Sequence, residues 1–305
     1  MNHSSTGVVV ATFSRRMTLR LDDERVVAAR IKGKKLKPVC ADRVIASPID
    51  NEDDWLIESI EDRTNELSRP DSRGRREVLA SNLDTVVVVA GIQPKPDWYV
   101  VDRYIAAAEN IEAGAIVVLN KTDLPHDDEV LSVLEDYRHC GYPVVATSAS
   151  SGEGLRELAA MLKDRTAIIV GQSGVGKSSI INELIDDARQ RTAEISGSTG
   201  EGRHTTVNSV MLDLPESGRV IDSPGVRDFA PAIDSVEDVI RGFREISEAG
   251  NHCRFANCRH LQEPDCAVKA GVESGDIASR RYDSYKRLFN IARDYVARST
   301  PGSLR

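Results

Sequence analysis

No apolar run in the 305-residue chain approaches the roughly 18 residues that a membrane-spanning helix needs. The opening Met1-Asn2-His3-Ser4-Ser5-Thr6 is polar and lacks the apolar centre of a secretory signal. These two absences set the expectation of a cytoplasmic protein without a membrane partner. Cysteine is scarce: five residues, three of them between 253 and 266, a distribution that fits metal binding in a reducing compartment better than a disulfide framework. There is no internal repeat and no low-complexity tract. Positive charge is also in deficit. A formal net charge of −8 argues against a uniformly basic coat for nucleic acid. The sign is uneven, however. Every charged residue from Arg25 to Lys37 is basic, and Arg280, Arg281, Lys286, Arg287, Arg293 and Arg298 outnumber the acids near the C-terminus. Each stripe reads as a solvated face or as a contact for a phosphate backbone.

What is present is globular and too long for one small domain, with 40% hydrophobic and 29% charged residues. Residues 7–13, 17–21, 26–31, 43–47 and 55–60 are apolar or alternating and are separated by polar turns. Five short strands predict a small closed barrel over residues 1–65, for which the OB-fold is the common solution and an SH3-like barrel the alternative. A polar, Arg-rich linker is expected over 66–82. From 83 to 230, β-branched runs at 84–90, 115–120, 143–147 and 167–170 alternate with helical stretches at 98–110, 128–139 and 154–163. That alternation builds a mostly parallel α/β sheet with ligands at the carboxyl ends of its strands. Helical patterns at 236–247 and 277–298 flank the cysteine cluster in a third, mainly α unit over 231–305.

The strongest motif is Gly171-Gln172-Ser173-Gly174-Val175-Gly176-Lys177-Ser178, followed by Ser179. Its glycines let backbone N–H groups turn inward around phosphates, and the following helix adds its positive end. Lys177 is expected to reach the β- and γ-phosphates, and Ser178 to ligate Mg²⁺. Such a loop alone serves ATP or GTP. Asn120-Lys121-Thr122-Asp123 selects guanine, because a carboxylate at Asp123 accepts from both the ring N–H and the exocyclic amine. Ser148-Ala149-Ser150 reads as its supporting loop. Asp222-Ser223-Pro224-Gly225 reads as the sensor, with Asp222 holding Mg²⁺ through water and Gly225 offering its N–H to a γ-phosphate.

Many GTPases place a glutamine after that glycine to orient the attacking water; here the position is Val226. The segment from Gln190 to Val207, ending in Gly202-Arg203-His204-Thr205-Thr206, is expected to order when a γ-phosphate is present. Thr206 then completes the Mg²⁺ shell, and His204 is the candidate to orient water. The bland alternative is a flexible loop with His204 on RNA or in solvent. These motifs come in the reverse of the usual order, guanine loop before phosphate loop, which is a circular permutation.

Cys253, Cys258, His260 and Cys266 offer three sulfurs and a nitrogen to one tetrahedral Zn²⁺, with no open position. One structural zinc is expected to supply much of the third unit's folding energy. Cys40 and Cys140 read as core thiols.

Together these features resemble the circularly permuted GTPases of the RsgA/YjeQ family over nearly the whole chain. Further matching motifs are Arg63-Thr-Asn-Glu-Leu-Ser-Arg69, Asn82-Leu-Asp84, Asp102-Arg-Tyr104 and Arg281-Tyr-Asp-Ser-Tyr285. Ala41, Ser223 and Val207 stand where the family usually has Gly, Thr and Thr. The resemblance implies an OB-fold barrel, a permuted GTPase domain and a zinc-binding domain in one chain. It also implies GTP and GDP as ligands, the small ribosomal subunit and its rRNA as partners, a role in that subunit's late maturation, and a monomer.

Overall fold

Five strands open the chain: β1 (Ser5–Phe13), β2 (Met17–Leu21), β3 (Val26–Ile31), β4 (Arg43–Pro48) and β5 (Trp55–Ile60). The computed structural model describes residues 4–13, 16–33, 35–71, 75–193, 207–223 and 235–299. The strands obey the two-residue period of a half-buried sheet; Met17, Leu19 and Leu21 point inward from β2. Neighbours run β1-β2-β3-β5-β4, and β4 returns to β1 with Ser5 opposite Ala46 and Val8 opposite Arg43. This closed order, with a parallel β3–β5 pair, is that of the OB-fold and removes the SH3-like alternative. Val9, Leu19, Val44 and Ile57 fill the interior.

The expected linker is instead a hairpin of β6 (Glu66–Pro70) and β7 (Arg76–Ser81). It forms because Leu67, Leu79 and Ala80 are buried in the central core, so the segment has apolar surface to hide. Its joint to the barrel is a buried carboxylate. Asp42 takes a bidentate pair from Arg63 at 2.7 and 2.9 Å and a hydroxyl from Ser81 at 2.6 Å. Asn65 exchanges two bonds with the Leu83 backbone, each 2.8 Å long.

The central sheet holds β8 (Thr85–Gly91), β9 (Gly114–Asn120), β10 (Val144–Thr147), β11 (Thr166–Gly171), β12 (Val207–Asp213) and β13 (Arg219–Asp222). Strands β10-β9-β8-β11-β13 are parallel, and β12 lies antiparallel beside β13. Helices α1 (Trp98–Asn110), α2 (Asp128–His139), α3 (Leu155–Met161) and α4 (Lys177–Ala193) cover it. All of β8 is buried, with alternate residues serving two cores. Val86 and Val88 pack with Tyr104 and Ile105 of α1, while Val87 and Val89 pack with Leu158 of α3 and Ile180 of α4. The end of β1 leaves the barrel to pair with β12, setting Ala11 against Val210 and Phe13 against Val207. Barrel and central strands thus form one eleven-stranded sheet.

The last unit contains α5 (Val236–Arg241), α6 (Arg244–Gly250), α7 (Ala267–Ser274) and α8 (Ser279–Ser299). The single helix expected over 236–247 is broken after Arg241, where Phe243 turns to an extended backbone and buries its ring edge-on against Tyr285, 5.7 Å between centroids. Arg280 and Arg281 do not belong to a surface stripe as expected. Both face inward from α8: Arg281 is fully buried between Asp102 at 2.9 Å and Glu245 at 2.7 Å, and Arg280 reaches Asp102 at 2.8 Å. Among the described residues no helix is long and apolar enough to cross a membrane.

Candidate nucleotide site and metal centre

The carboxyl ends of four of the five parallel strands carry the predicted motifs, with β8 between β9 and β11. Asn120 ends β9, Ser148 follows β10, Gly171 ends β11 and Asp222 ends β13. Buried Asn120 is the hub. Its amide nitrogen donates to the Val175 carbonyl at 2.9 Å, and its oxygen accepts from Thr147 Oγ1 at 3.1 Å and the Ala149 N–H at 3.3 Å. One side chain therefore ties the guanine loop to the phosphate loop and to the supporting loop. A Cβ on Gly176, whose φ is +96°, would lie 2.3 Å from Asn120 Nδ2, so only glycine permits this approach. Lys121 Nζ donates to the carbonyls of Gly174 and Gln93, each at 2.6 Å. Thr122 is held by the Thr147 carbonyl, which accepts from its Oγ1 at 3.0 Å and its N–H at 3.2 Å.

Ser148 Oγ donates to Asp123 Oδ1 at 2.6 Å and lies 2.9 Å from Ser150 Oγ. The Ser148 hydroxyl holds the Asp123 carboxyl below the usual carboxylate range. A cavity of about 470 Å³ opens between Asp123, Ala149, Ser150, Gly176 and Ser179, with Glu183 at its rim. Val175 is buried, and Ser173, Gly174, Ser178 and Ser179 are exposed at the start of α4. Buried Lys177 sets its ammonium on the loop's own carbonyls, Gly171 at 2.7 Å and Gln172 at 2.6 Å.

The four metal-ligand candidates converge, with all ligand atoms within 4.8 Å of one another. Cys253 Sγ lies 3.8 Å from Cys266 Sγ, and both lie 3.5 Å from His260 Nδ1. A tetrahedral ion with metal–sulfur bonds of about 2.3 Å imposes sulfur–sulfur edges of about 3.8 Å and shorter sulfur–nitrogen edges, so the donor set fits. Burial opposes ionisation of Cys253, but the N–H groups of Ala267 and Val268 and its hydrogen-bonded thiol neighbours leave it below the ordinary thiol value. Burial pushes Cys258 up to about 12. The carbonyls of His260 and Arg259 accept from Tyr282 and Tyr285 of α8 at 2.6 and 2.8 Å. A Cβ on Gly250 would stand 3.1 Å from the His260 ring, so the end of α6 is where that ring finds room.

A family model described as RsgA GTPase matches residues 60–231, more than half of the chain. The small ribosomal subunit biogenesis GTPase RsgA of Shewanella oneidensis is 35% identical over 291 residues, 93% of this chain and 82% of that protein. Its namesake in Chromohalobacter salexigens is 37% identical over 288 residues, 92% and 84% of the two chains. The chain belongs to the RsgA GTPase family. The crystal structure of YjeQ from Thermotoga maritima matches at TM-score 0.75 and 30% identity, covering 95% of this chain and 99% of that one. YloQ, described as a circularly permuted GTPase, matches at 0.73 and 27%, with 96% of each chain covered.

In this RsgA GTPase the guanine, supporting and phosphate loops meet, and the cysteine–histidine set is a separate centre. His204, Thr206 and Gly225, with Val226, lie outside the described residues. Sequence reasoning did not find the segment 93–97, which follows β8. Its Gln93 carbonyl receives Lys121, and the Asp97 N–H donates to the Gln172 side chain at 3.0 Å. No residue-type pattern marks it, because most of its contribution is backbone.

Proposed function

We propose that this GTPase acts in the late maturation of the small ribosomal subunit, contacting its rRNA through the barrel and the C-terminal unit and being activated by it. It works as a cytoplasmic monomer. The relatives' shared name supports the role, and the observation that carries the nucleotide assignment is the Asn120 hub. It makes the guanine loop and the phosphate loop one rigid pocket in the permuted order. Asp123 accepts from guanine, and Lys121 lays its stem along the base. Backbone N–H groups of residues 171–179 cradle the phosphates, and Lys177 meets the β- and γ-phosphates. Ser178 and Thr206, with Asp222 through water, hold Mg²⁺, which when bound neutralises charge on the β- and γ-phosphates. Gly225 is assigned to offer its N–H to the γ-phosphate. His204 orients the attacking water that Val226 has no polar atom to hold.

One Zn²⁺ sits among Cys253, Cys258, His260 and Cys266 in a structural role, supported by the tetrahedral spacing of the ligand atoms. RNA contact by the barrel is supported by Lys32, Lys35 and Lys37. These are exposed and in no ion pair among the described residues, whereas Arg25 pairs with Asp23 and Arg30 with Glu52 and Asp54. Lys35 and Lys37 line a groove of about 760 Å³ between barrel and hairpin. The test is GTP turnover with and without purified small subunits. Stimulation on the order of tenfold or more is expected, and His204→Ala is expected to remove about a hundredfold of the stimulated rate with subunit affinity intact. Turnover indifferent to subunits would leave a nucleotide-gated RNA-binding protein instead; a fully stimulated His204→Ala variant would take the histidine out of the mechanism.

A further inference from the structure

Four arginines lie along the seam where α1 meets α8, and they divide into two kinds. Arg280 and Arg281 are neutralised by Asp102, Asp136 and Glu245. Arg103 and Arg287 make no ion pair among the described residues. They gather instead on one ring: the Arg287 guanidinium carbon is 3.8 Å from the centroid of Tyr99, and that of Arg103 is 5.7 Å from it. Tyr99 and Arg103 are four residues apart on α1 and share a face. The Tyr99 hydroxyl and Arg103 Nε are both buried with no hydrogen-bond partner. Asp97 is a carboxylate whose charge reaches Arg103, and it is occupied in capping α1, accepting from Tyr99 N–H at 3.1 Å and Val100 N–H at 3.3 Å. Burial, and to a lesser degree the charge of Arg287, lower the basicity of Arg103. Two like charges are thus held side by side, one half-buried and one exposed, with donors left over.

We propose that Arg103, Arg287 and Tyr99 form a binding site for an RNA backbone phosphate at the α1–α8 seam. A phosphate between the two guanidiniums relieves their repulsion and accepts from their terminal nitrogens. The planar fork of arginine suits tetrahedral oxyanions, and the ring holds Arg287 in place by cation–π contact. The site lies one turn beyond the first residues of α1, whose N-cap segment touches the phosphate loop through Gln172, so RNA seated here bears on the nucleotide site. The assignment rests on the ribosomal reading given above.

The experiment measures binding of the full chain to purified small subunits between about 50 and 200 mM salt, where each neutralised phosphate contributes roughly 0.7–0.9 to the slope of log affinity against log salt. Arg287→Gln is expected to lower that slope by one such step. Arg103→Gln with Arg287→Gln is expected to lower it by no more than that one step, since both arginines serve one phosphate, with affinity at least about tenfold weaker. GDP binding and thermal stability should be unchanged, and Arg287→Lys should keep the slope. The same changes are expected on protein-free rRNA of the small subunit. Unchanged slopes with wild-type binding present would overturn this site alone, and failure of the wild type to bind would overturn it together with the ribosomal reading. A loss confined to intact subunits would assign the arginines to an acidic protein and overturn the proposal. A lower melting temperature with binding intact would reduce the stack to a clamp between helices and also overturn it.

Discussion

Asp123, the residue proposed to recognise guanine, shows how much of such a role lies in a neighbour. Its carboxylate is exposed, and an exposed carboxylate swings freely; the Ser148 hydroxyl at 2.6 Å fixes it and keeps it ionised. Guanine needs the ionised form, since both groups it presents are donors. Ser148→Ala removes the bond that lowers the Asp123 pKa, so the carboxylate protonates at higher pH. GDP affinity is therefore expected to fall several-fold at neutral pH, because the carboxylate loses the bond that orients it. Its decline on acidification should also begin at higher pH than in the parent chain. Titrating fluorescent GDP across pH checks both; superimposable curves would separate Ser148 from base recognition. Asp123 and Lys177 were legible in the sequence because loops of this chemistry demand particular residue types at fixed spacing. Ala41 was legible only as a departure. The structure adds its reason, a φ of +72° that glycine adopts freely. Here the buried Ala41 methyl offsets part of that strain.

The C-terminal unit is held by two devices at the level of elements. One is the cysteine–histidine cluster, which closes residues 253–266 onto α8 through Tyr282 and Tyr285. The other is the ion cluster of Asp102, Arg281 and Glu245, joining α1, α8 and α6. Burial opposes ionisation of Glu245, but Arg281 holds it below the ordinary value of 4.5. Arg281→Met leaves Glu245 without a cation while Asp102 keeps Arg280, and breaking such a buried pair costs about 3–5 kcal/mol. Denaturant unfolding is expected to show that loss near neutral pH. A group with a depressed folded pKa stabilises above its unfolded value and ceases to do so as pH falls through the folded one. The difference between parent and variant should therefore shrink below about pH 4.5. A constant difference would mean the Glu245 carboxylate is not the cost.

The metal was expected to carry the unit's folding energy. The apolar core of Phe243, Ile246, Tyr285, Leu288 and Phe289, docked on Ala106 of α1, argues for a narrower duty. Chelation is expected to expose residues 253–266 to protease while α8 stays docked and GDP stays bound. Release of the whole unit would restore the larger role. Helix α8 was legible from its periodicity, whereas the pattern over 236–247 hid a break after Arg241 and α7 was not expected. The ion cluster was not, because Asp102 and Arg281 are 179 residues apart and nothing in either segment names its partner.

For the whole molecule, permutation relocates the outlets of the nucleotide site. In chain order β13, which carries the proposed sensor, precedes the C-terminal unit, and this outlet follows from motif order alone. The structure adds a second outlet. Strand β12 begins at Val207, directly after the segment expected to sense the γ-phosphate, and it is hydrogen-bonded to β13 on one side and to barrel strand β1 on the other. Arg20 of β2 also grips Asp213 at the far end of β12, at 2.9 Å. No pattern in residues 5–13 announced that pairing, since a strand serving two sheets reads like any long apolar strand. A shift of β12 on γ-phosphate loss must be accommodated by β1, because the ladder offers no slack without breaking hydrogen bonds. Amide exchange over 11–13 and 207–210 is therefore expected to change together between GDP and a non-hydrolysable GTP analogue. The expected change is at least about fivefold, which a shift of roughly 1 kcal/mol in local opening produces. Exchange that changes in 207–210 but not in 11–13 would leave the barrel a passive arm, with the C-terminal unit as the sole reader of nucleotide state.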